Sequence, residues 1–326
     1  MMHLEDGFGR RFSYLRLSLT EVCNFRCQYC LPNGYRKNGR HDFLEKDEVL
    51  RLIAALTPLG LWKTRLTGGE PTLRPDFLSI AEGIAATPGI KRLALTTNGY
   101  RLRENAQSYR DVGISHINIS IDSLKADTFK DITGHDRLNE VLDGIAAAQS
   151  AKFQRIKLNT VLLKNWNDGE FKTILDFIKH QDISLRFIEL MRTGDNQDFF
   201  KRHHLSGAVV EEQLQSMGWT LAPRSPGAGP AKEYIHEDYQ GRIGLIMPYS
   251  KDFCDSCNRL RVTSKGELRL CLFGEGGLTL RDLLQDDDDK DRLQQRVLKL
   301  LGGKAESHAL HQGVTGATRH LASIGG

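Results

Sequence analysis

The stretch Tyr14-Leu15-Arg16-Leu17-Ser18-Leu19-Thr20-Glu21-Val22-Cys23-Asn24-Phe25-Arg26-Cys27-Gln28-Tyr29-Cys30 runs a strand into a cysteine cluster, and its reading decides the fold. The first six residues read as a short strand; the cysteines follow at C-x3-C-x2-C, with no fourth cysteine nearby. Three thiolates hold three irons of a cubane iron–sulfur cluster and leave one iron open, whereas electron-transfer clusters take four cysteines. The set therefore points to a cluster that does chemistry at its open corner.

Outward from this segment the same arrangement recurs. Strand candidates are Tyr14–Leu19, Lys63–Thr67, Arg92–Thr97, His116–Ile121, Ile156–Leu162 and Ser184–Leu190, with helical stretches at Lys46–Leu56, Pro75–Ala86, Leu138–Ala148 and Asp168–His180. Such β-α repetition implies a parallel α/β fold, either a barrel or a doubly wound sheet. Gly68-Gly69-Glu70-Pro71 follows the second strand and Thr97-Asn98-Gly99 the third; Ser120 and Asp122 end the fourth, and Met191-Arg192-Thr193-Gly194 follow the sixth. Taken singly, these are ordinary turns, caps and a core methionine. Spread over the carboxyl ends of nearly all strands, they favour a partial (β/α)6 TIM-like barrel, because a doubly wound sheet concentrates its site at one switch point.

Past residue 220 the character changes. A Pro/Gly/Ser-rich loop, Pro223 to Pro230, precedes strand candidates Lys232–His236, Arg242–Met247, Arg259–Thr263 and Glu267–Leu272, the last two joined by a turn at Ser264-Lys265-Gly266. We expect residues 1–220 to form the barrel and 221–326 a C-terminal part with a small antiparallel β region, with helical segments at Leu278–Leu284 and Asp291–Leu301. The run Asp286 to Lys290 reads as a solvated loop.

That C-terminal part carries the other cysteines, Cys254, Cys257 and Cys271, so six cysteines divide into two triplets. A disulfide framework belongs to short secreted chains and does not fit 326 residues without an export signal. Zinc competes for the second triplet, with His236 or His308 as a fourth ligand. Hydrophobic content is 40% and net charge +4, too mild to imply nucleic-acid binding, and no apolar run would span a bilayer. Reduced cysteines and no leader place the expected location in the cytoplasm.

Arg16, Arg65, Lys157 and Arg186 each interrupt a strand candidate, where a charge needs a partner. Alternate residues of a barrel strand face the lumen, so these cations meet either carboxylates such as Glu189 and Asp122 or an anionic ligand such as a polyphosphate. Arg259 and Arg261 alternate on one strand face and join the same cavity.

On these residues the chain resembles a known family. Cys23-x3-Cys27-x2-Cys30 with Tyr29, and the Gly-Gly-Glu-Pro turn, look like the radical S-adenosylmethionine signature. Phe253-Cys254-Asp255-Ser256-Cys257-Asn258-Arg259-Leu260-Arg261, then Cys271-Leu272-Phe273, and the ending Ile324-Gly325-Gly326, resemble the GTP 3′,8-cyclase family of molybdenum cofactor biosynthesis (molybdenum cofactor biosynthesis protein A). The resemblance implies two [4Fe–4S] clusters, one on Cys23, Cys27 and Cys30 with S-adenosylmethionine on its open iron, the other on Cys254, Cys257 and Cys271 facing guanine. It implies S-adenosylmethionine contacts at Tyr29, Gly69, Ser120 and Met191, and GTP contacts at Arg16, Arg65, Thr96, Lys157, Arg186, Arg259, Leu260 and Arg261. Arg259, Arg261, Gly325 and Gly326 are implied in catalysis, which forms (8S)-3′,8-cyclo-7,8-dihydroguanosine 5′-triphosphate. An external electron donor, a downstream cyclic pyranopterin monophosphate synthase and a homodimer are implied as partners. Leu321 stands where the family commonly has methionine, a near-isosteric change. Rival readings are a radical enzyme acting on a peptide or RNA, and a non-catalytic zinc module.

Overall fold

A computed structural model of the chain describes residues 3–36, 42–224, 227–255, 257–319 and 321–324. In chain order the elements begin β1 (Tyr14–Ser18), α1 (Lys46–Leu56), β2 (Lys63–Thr67), α2 (Phe77–Ala86), β3 (Arg92–Thr97), α3 (Leu102–Asp111) and β4 (Ile114–Ser120). Next come α4 (Ala126–Thr133), α5 (Leu138–Ser150), β5 (Arg155–Leu162), α6 (Phe171–Ile178), β6 (Ser184–Glu189), α7 (Gln197–His203) and α8 (Gly207–Ser216). The C-terminal part adds β7 (Thr220–Leu221), β8 (Lys232–Ile235), β9 (Arg242–Ile246), β10 (Arg259–Val262), β11 (Glu267–Arg269), β12 (Leu278–Thr279) and α9 (Lys290–Gly302).

All these strands join one sheet in the order β12-β11-β10-β1-β2-β3-β4-β5-β6-β9-β8-β7. The strands β1 to β6 lie side by side in parallel, the partial barrel expected, and it does not close. The antiparallel C-terminal strands are present as two three-stranded edge units, β10-β11-β12 and β9-β8-β7. Each is attached through a parallel pairing: β10 lies beside β1 and β9 beside β6. The C-terminal part therefore widens the barrel wall at both edges.

Alternation sets the two faces of this wall. On β1, Leu15 and Leu17 are fully buried in the core against the helices, while Tyr14 and Arg16 face the lumen. On α1, Val49, Leu52, Ile53 and Leu56 recur at helical spacing and bury against the sheet.

Two expectations change. Leu278–Leu284 is not helical throughout: Leu278 and Thr279 pair with Leu268 and Glu267 as an edge strand, and only Arg281–Leu283 make a 3-10 turn. The run Asp286 to Lys290 is exposed but shaped, since the Asp286 carboxylate accepts from the Asp288 N–H at 3.1 Å. Asp287–Asp289 form a turn that leads into α9, where negative charge suits the helix start.

Candidate active site

The lumen is a cavity of about 880 Å³, and all six cysteines line it. Fourteen Lys or Arg residues line it against five Asp or Glu. Strand register explains the crowding. Arg16 is paired in register with Arg65 on one side and Arg261 on the other, so three guanidinium groups share one level of the wall. Tyr14 lies one step below: Arg65 Nε donates to its hydroxyl at 2.7 Å. Burial pushes the Tyr14 hydroxyl up, but Arg65, Arg16 and Lys63 outweigh it and bring it down to about 6. Across the lumen, burial and the charge of Arg186 lower Lys157 to about 7 despite Glu233. Burial lowers Lys63 to about 8 and His116, beside Arg92 and Arg65, to about 3. The wall therefore resists taking more positive charge and favours an anion.

The carboxylate that meets Lys157 and Arg186 is Glu233 of β8 rather than Glu189 or Asp122. It lies 3.1 Å from Lys157 Nζ, 3.5 Å from Arg186 and 3.9 Å from Arg155. Glu189 instead takes His204 at 2.8 Å, and Asp122 accepts from the Tyr29 hydroxyl at 2.9 Å.

The two triplets sit at opposite ends of the lumen. Cys23, Cys27 and Cys30 follow the carboxyl end of β1. Cys254 and Cys257 precede β10, which runs parallel to β1, and Cys271 follows β11, which runs back antiparallel. The second triplet therefore lies toward the amino ends of the barrel strands, with Arg16, Arg65 and Arg261 between the sets.

At the carboxyl end the loops interlock. A Cβ on Gly68, whose φ is +143°, would stand 2.3 Å from the Thr20 carbonyl oxygen, and one on Gly69 would stand 2.3 Å from that of Val22. Only glycines let the second loop lie on the cysteine loop, and there Gly69 N–H donates to Thr20 and Glu70 N–H to Val22. Buried Glu70 then ties in the third loop, accepting from Thr97 Oγ1 at 2.9 Å and Asn98 N–H at 2.7 Å. Asp122, raised to about 6 by burial, holds Tyr29 between the last two cysteines.

The chain after α9 links the two ends. Arg10 donates to the carbonyls of Cys254 at 3.2 Å and Ala305 at 2.8 Å, fastening this segment beside the second triplet. Farther along, Thr318 donates to the Leu272 carbonyl and accepts from Gly194 N–H, so it bridges the two sides of the open wall. Leu321 and Ala322 line the cavity, and their main chain hydrogen-bonds Cys30. Gly325 and Gly326 lie outside the described residues.

Of the other expected residues, Tyr29, Gly69, Thr96, Ser120 and Met191 all line the cavity, as do Arg186, Arg259 and Arg261. Leu260 does not: it alternates to the opposite face of β10 and is fully buried in the core. His236 packs against Trp219 and Tyr239, away from the cysteines, whereas His308 lies beside Cys254. Sequence reasoning passed over Lys63, Arg92, His116, Asn118 and Glu233. Period-2 alternation along β2, β3 and β4 marked most of them; nothing local marked Glu233.

The donors fit iron–sulfur chemistry. All six cysteines are free. Burial pushes Cys23 to about 11 and Cys30 to about 12, so these thiols give up their protons only to strong positive charge such as bound metal. Burial pushes Cys254 up as well, but the neighbouring His308 and Ser307 outweigh it and bring it down to about 7. Among the described residues no three His, Cys, Asp or Glu side chains converge on one ion position; a cubane instead takes one thiolate per iron.

An open parallel barrel with a three-cysteine loop and an interlocked glycine turn defines the radical S-adenosylmethionine class. Residues 17–178 match the family model described as Radical SAM superfamily, and residues 183–310 match Molybdenum Cofactor Synthesis C. The chain is 56% identical over 326 residues to a GTP 3′,8-cyclase of Stenotrophomonas maltophilia, covering 100% of both. It is 56% identical over 325 residues to one of Tolumonas auensis, covering 100% of this chain and 97% of that one. The chain belongs to the GTP 3′,8-cyclase family. A crystal structure of Streptococcus suis SuiB bound to S-adenosylmethionine shares the fold, with TM-score 0.58 and 12% identity over 87% of this chain and 68% of that one.

Proposed function

We infer that this protein converts GTP to (8S)-3′,8-cyclo-7,8-dihydroguanosine 5′-triphosphate, joining ribose C3′ to guanine C8, in molybdenum cofactor biosynthesis. Its cofactors are two [4Fe–4S] clusters and S-adenosylmethionine. The observation that carries the reading is the cationic lumen with a cysteine triplet at each end.

Cys23, Cys27 and Cys30 hold the first cluster, and Cys254, Cys257 and Cys271 the second. With S-adenosylmethionine bound, the first cluster supplies a 5′-deoxyadenosyl radical. Tyr29, Gly69, Ser120 and Met191 position S-adenosylmethionine at the carboxyl end of the lumen. Arg16, Arg65, Thr96, Lys157, Arg186, Arg259 and Arg261 hold GTP between the triplets, and Leu260 takes part only through its main chain. The barrel wall and the segment across its open side keep water from the reacting carbons. Gly325 and Gly326 take part in catalysis.

Residues 1–220 serve as the barrel and 221–326 as the substrate and second-cluster part. The electron donor is external, the product passes to cyclic pyranopterin monophosphate synthase, and the protein works as a cytoplasmic homodimer. No helix among the described residues is long and apolar enough to cross a membrane.

Replacing Arg16 by alanine removes a charge-assisted contact of about 1.5–3 kcal/mol. GTP should bind about 10- to 100-fold more weakly, read by calorimetry on the reconstituted protein. Binding as tight as the parent's would remove Arg16 from the GTP site.

GTP binding should also take up protons near pH 8. The folded chain holds the Lys157 proton at about 7 and the Lys63 proton at about 8, below the ordinary 10.5. A triphosphate raises both, so protons enter with the nucleotide. Without GTP the sign reverses for stability: at these two lysines the unfolded chain binds more protons between about 7 and 10.5, so their contribution to stability rises with pH there. Calorimetry in buffers of different ionisation heat reads the uptake; zero net uptake would refute it.

A further inference from the structure

His308 is absorbed by neither the fold nor the GTP site. It is 8% exposed and lines the cavity beside Cys254. The Leu310 main-chain N–H donates to its Nδ1 at 3.2 Å. A main-chain N–H can only donate, so Nδ1 is the bare nitrogen and the neutral ring carries its proton on Nε2. Nε2 is buried and meets no partner of hydrogen-bond geometry. Nor is the ring loose, because Phe253, Phe273 and His311 surround it at centroid distances of 5.9, 5.2 and 5.3 Å.

A buried donor without an acceptor is rare and costly, and a ring wedged among others cannot turn to water to relieve it. The available neighbour is the Cys254 sulfur. As a thiol it is a weak acceptor; as a thiolate on iron it is charged, and hydrogen bonds to charged groups are the stronger kind. The tautomer also decides against ligation: with Nδ1 engaged and Nε2 protonated, His308 has no lone pair to give a metal.

We propose that His308 is a positioning residue that donates its Nε2–H to the Cys254 thiolate of the second cluster and raises that cluster's reduction potential. A donor at sulfur stabilises the extra negative charge of the reduced cluster, one of the levers a protein has on such potentials. The proposal rests on the assignment of Cys254, Cys257 and Cys271 to a [4Fe–4S] cluster.

The test uses the full chain carrying Cys23→Ala, Cys27→Ala and Cys30→Ala, so that only the second cluster is loaded. Its midpoint potential is measured anaerobically without GTP. In His308→Phe, which keeps a ring and removes the donor, the potential should fall; His308→Gln, which returns an N–H near the same place, should recover most of the shift. A loaded cluster with the parent potential in His308→Phe overturns the inference alone. A parent chain that takes up no iron overturns the cluster assignment and the inference with it. Should His308→Phe fail to load, the parent with 15N-histidine decides by pulsed electron paramagnetic resonance of the reduced cluster. Weak nitrogen coupling supports the hydrogen bond; strong coupling of a directly bound nitrogen, or none, overturns it.

Discussion

Replacing Cys27 by serine is expected to abolish 5′-deoxyadenosine formation, while replacing Cys257 by serine should leave some and stop cyclisation. The asymmetry follows from the triplets' opposite placement along β1 and β10. Cys27 is half-buried in the cavity wall, and burial together with Asp122, Cys30 and Cys23 drives its thiol well above the usual range. Its proton leaves only for metal, so the site depends on all three sulfurs binding iron together. A serine hydroxyl is a poor replacement for a soft thiolate. Cys257 lies toward the other end, where its loss leaves the Gly68, Glu70 and Asp122 framework around S-adenosylmethionine untouched. Anaerobic reconstitution followed by iron assay and mass spectrometry of 5′-deoxyadenosine and the cyclised nucleotide reads both outcomes. Cleavage retained in Cys27→Ser would sink the first-cluster assignment.

Glu70→Ala is expected to destabilise the fold by about 3–5 kcal/mol, because it strips several buried donors of their acceptor at about 1–3 kcal/mol each. Its Oε1 accepts from Thr72 N–H at 3.1 Å, Thr72 Oγ1 at 2.6 Å and Thr97 Oγ1 at 2.9 Å, and its Oε2 from Asn98 N–H at 2.7 Å. Alanine leaves these donors facing an apolar hole. Because the carboxylate ties the loops after β2 and β3 together, S-adenosylmethionine cleavage should fall at least about tenfold even at a temperature where the variant is folded. Glu70→Gln keeps the shape and an acceptor but turns an amide N–H toward one of the donors, so its loss should be intermediate. Guanidinium unfolding gives the stability and product assay the rate. An alanine variant as stable as the parent would show that water replaces the carboxylate, and would remove Glu70 from the loop framework.

Much of this was legible along the chain because its signals are local. Alternation marked β1 to β6 within a residue or two of their ends, and the strand-end cysteines and glycines marked the mouth. The lumen cations were legible for the same reason: a charge between apolar neighbours on a strand can only face inward or pair. α3 and α4 were passed over because their polar faces weaken the periodic signal, with only Leu102, Ala106 and Tyr109 buried on α3. Leu260 misled because a motif names consecutive residues, whereas a strand sends consecutive side chains to opposite faces.

The sequence by itself determined which chemistry the protein carries: two cysteine triplets, a glycine turn and inward cations are local patterns that survive without a fold. Only the tertiary structure decided where the two triplets stand relative to each other. That followed from β10 joining β1 in parallel, a pairing between residues more than two hundred positions apart, while β11 returns beside β10. It also decided that Glu233 answers Lys157 and Arg186, and that Thr318 bridges the open wall. Such partners are chosen by sheet register and burial, which no stretch of residues specifies alone.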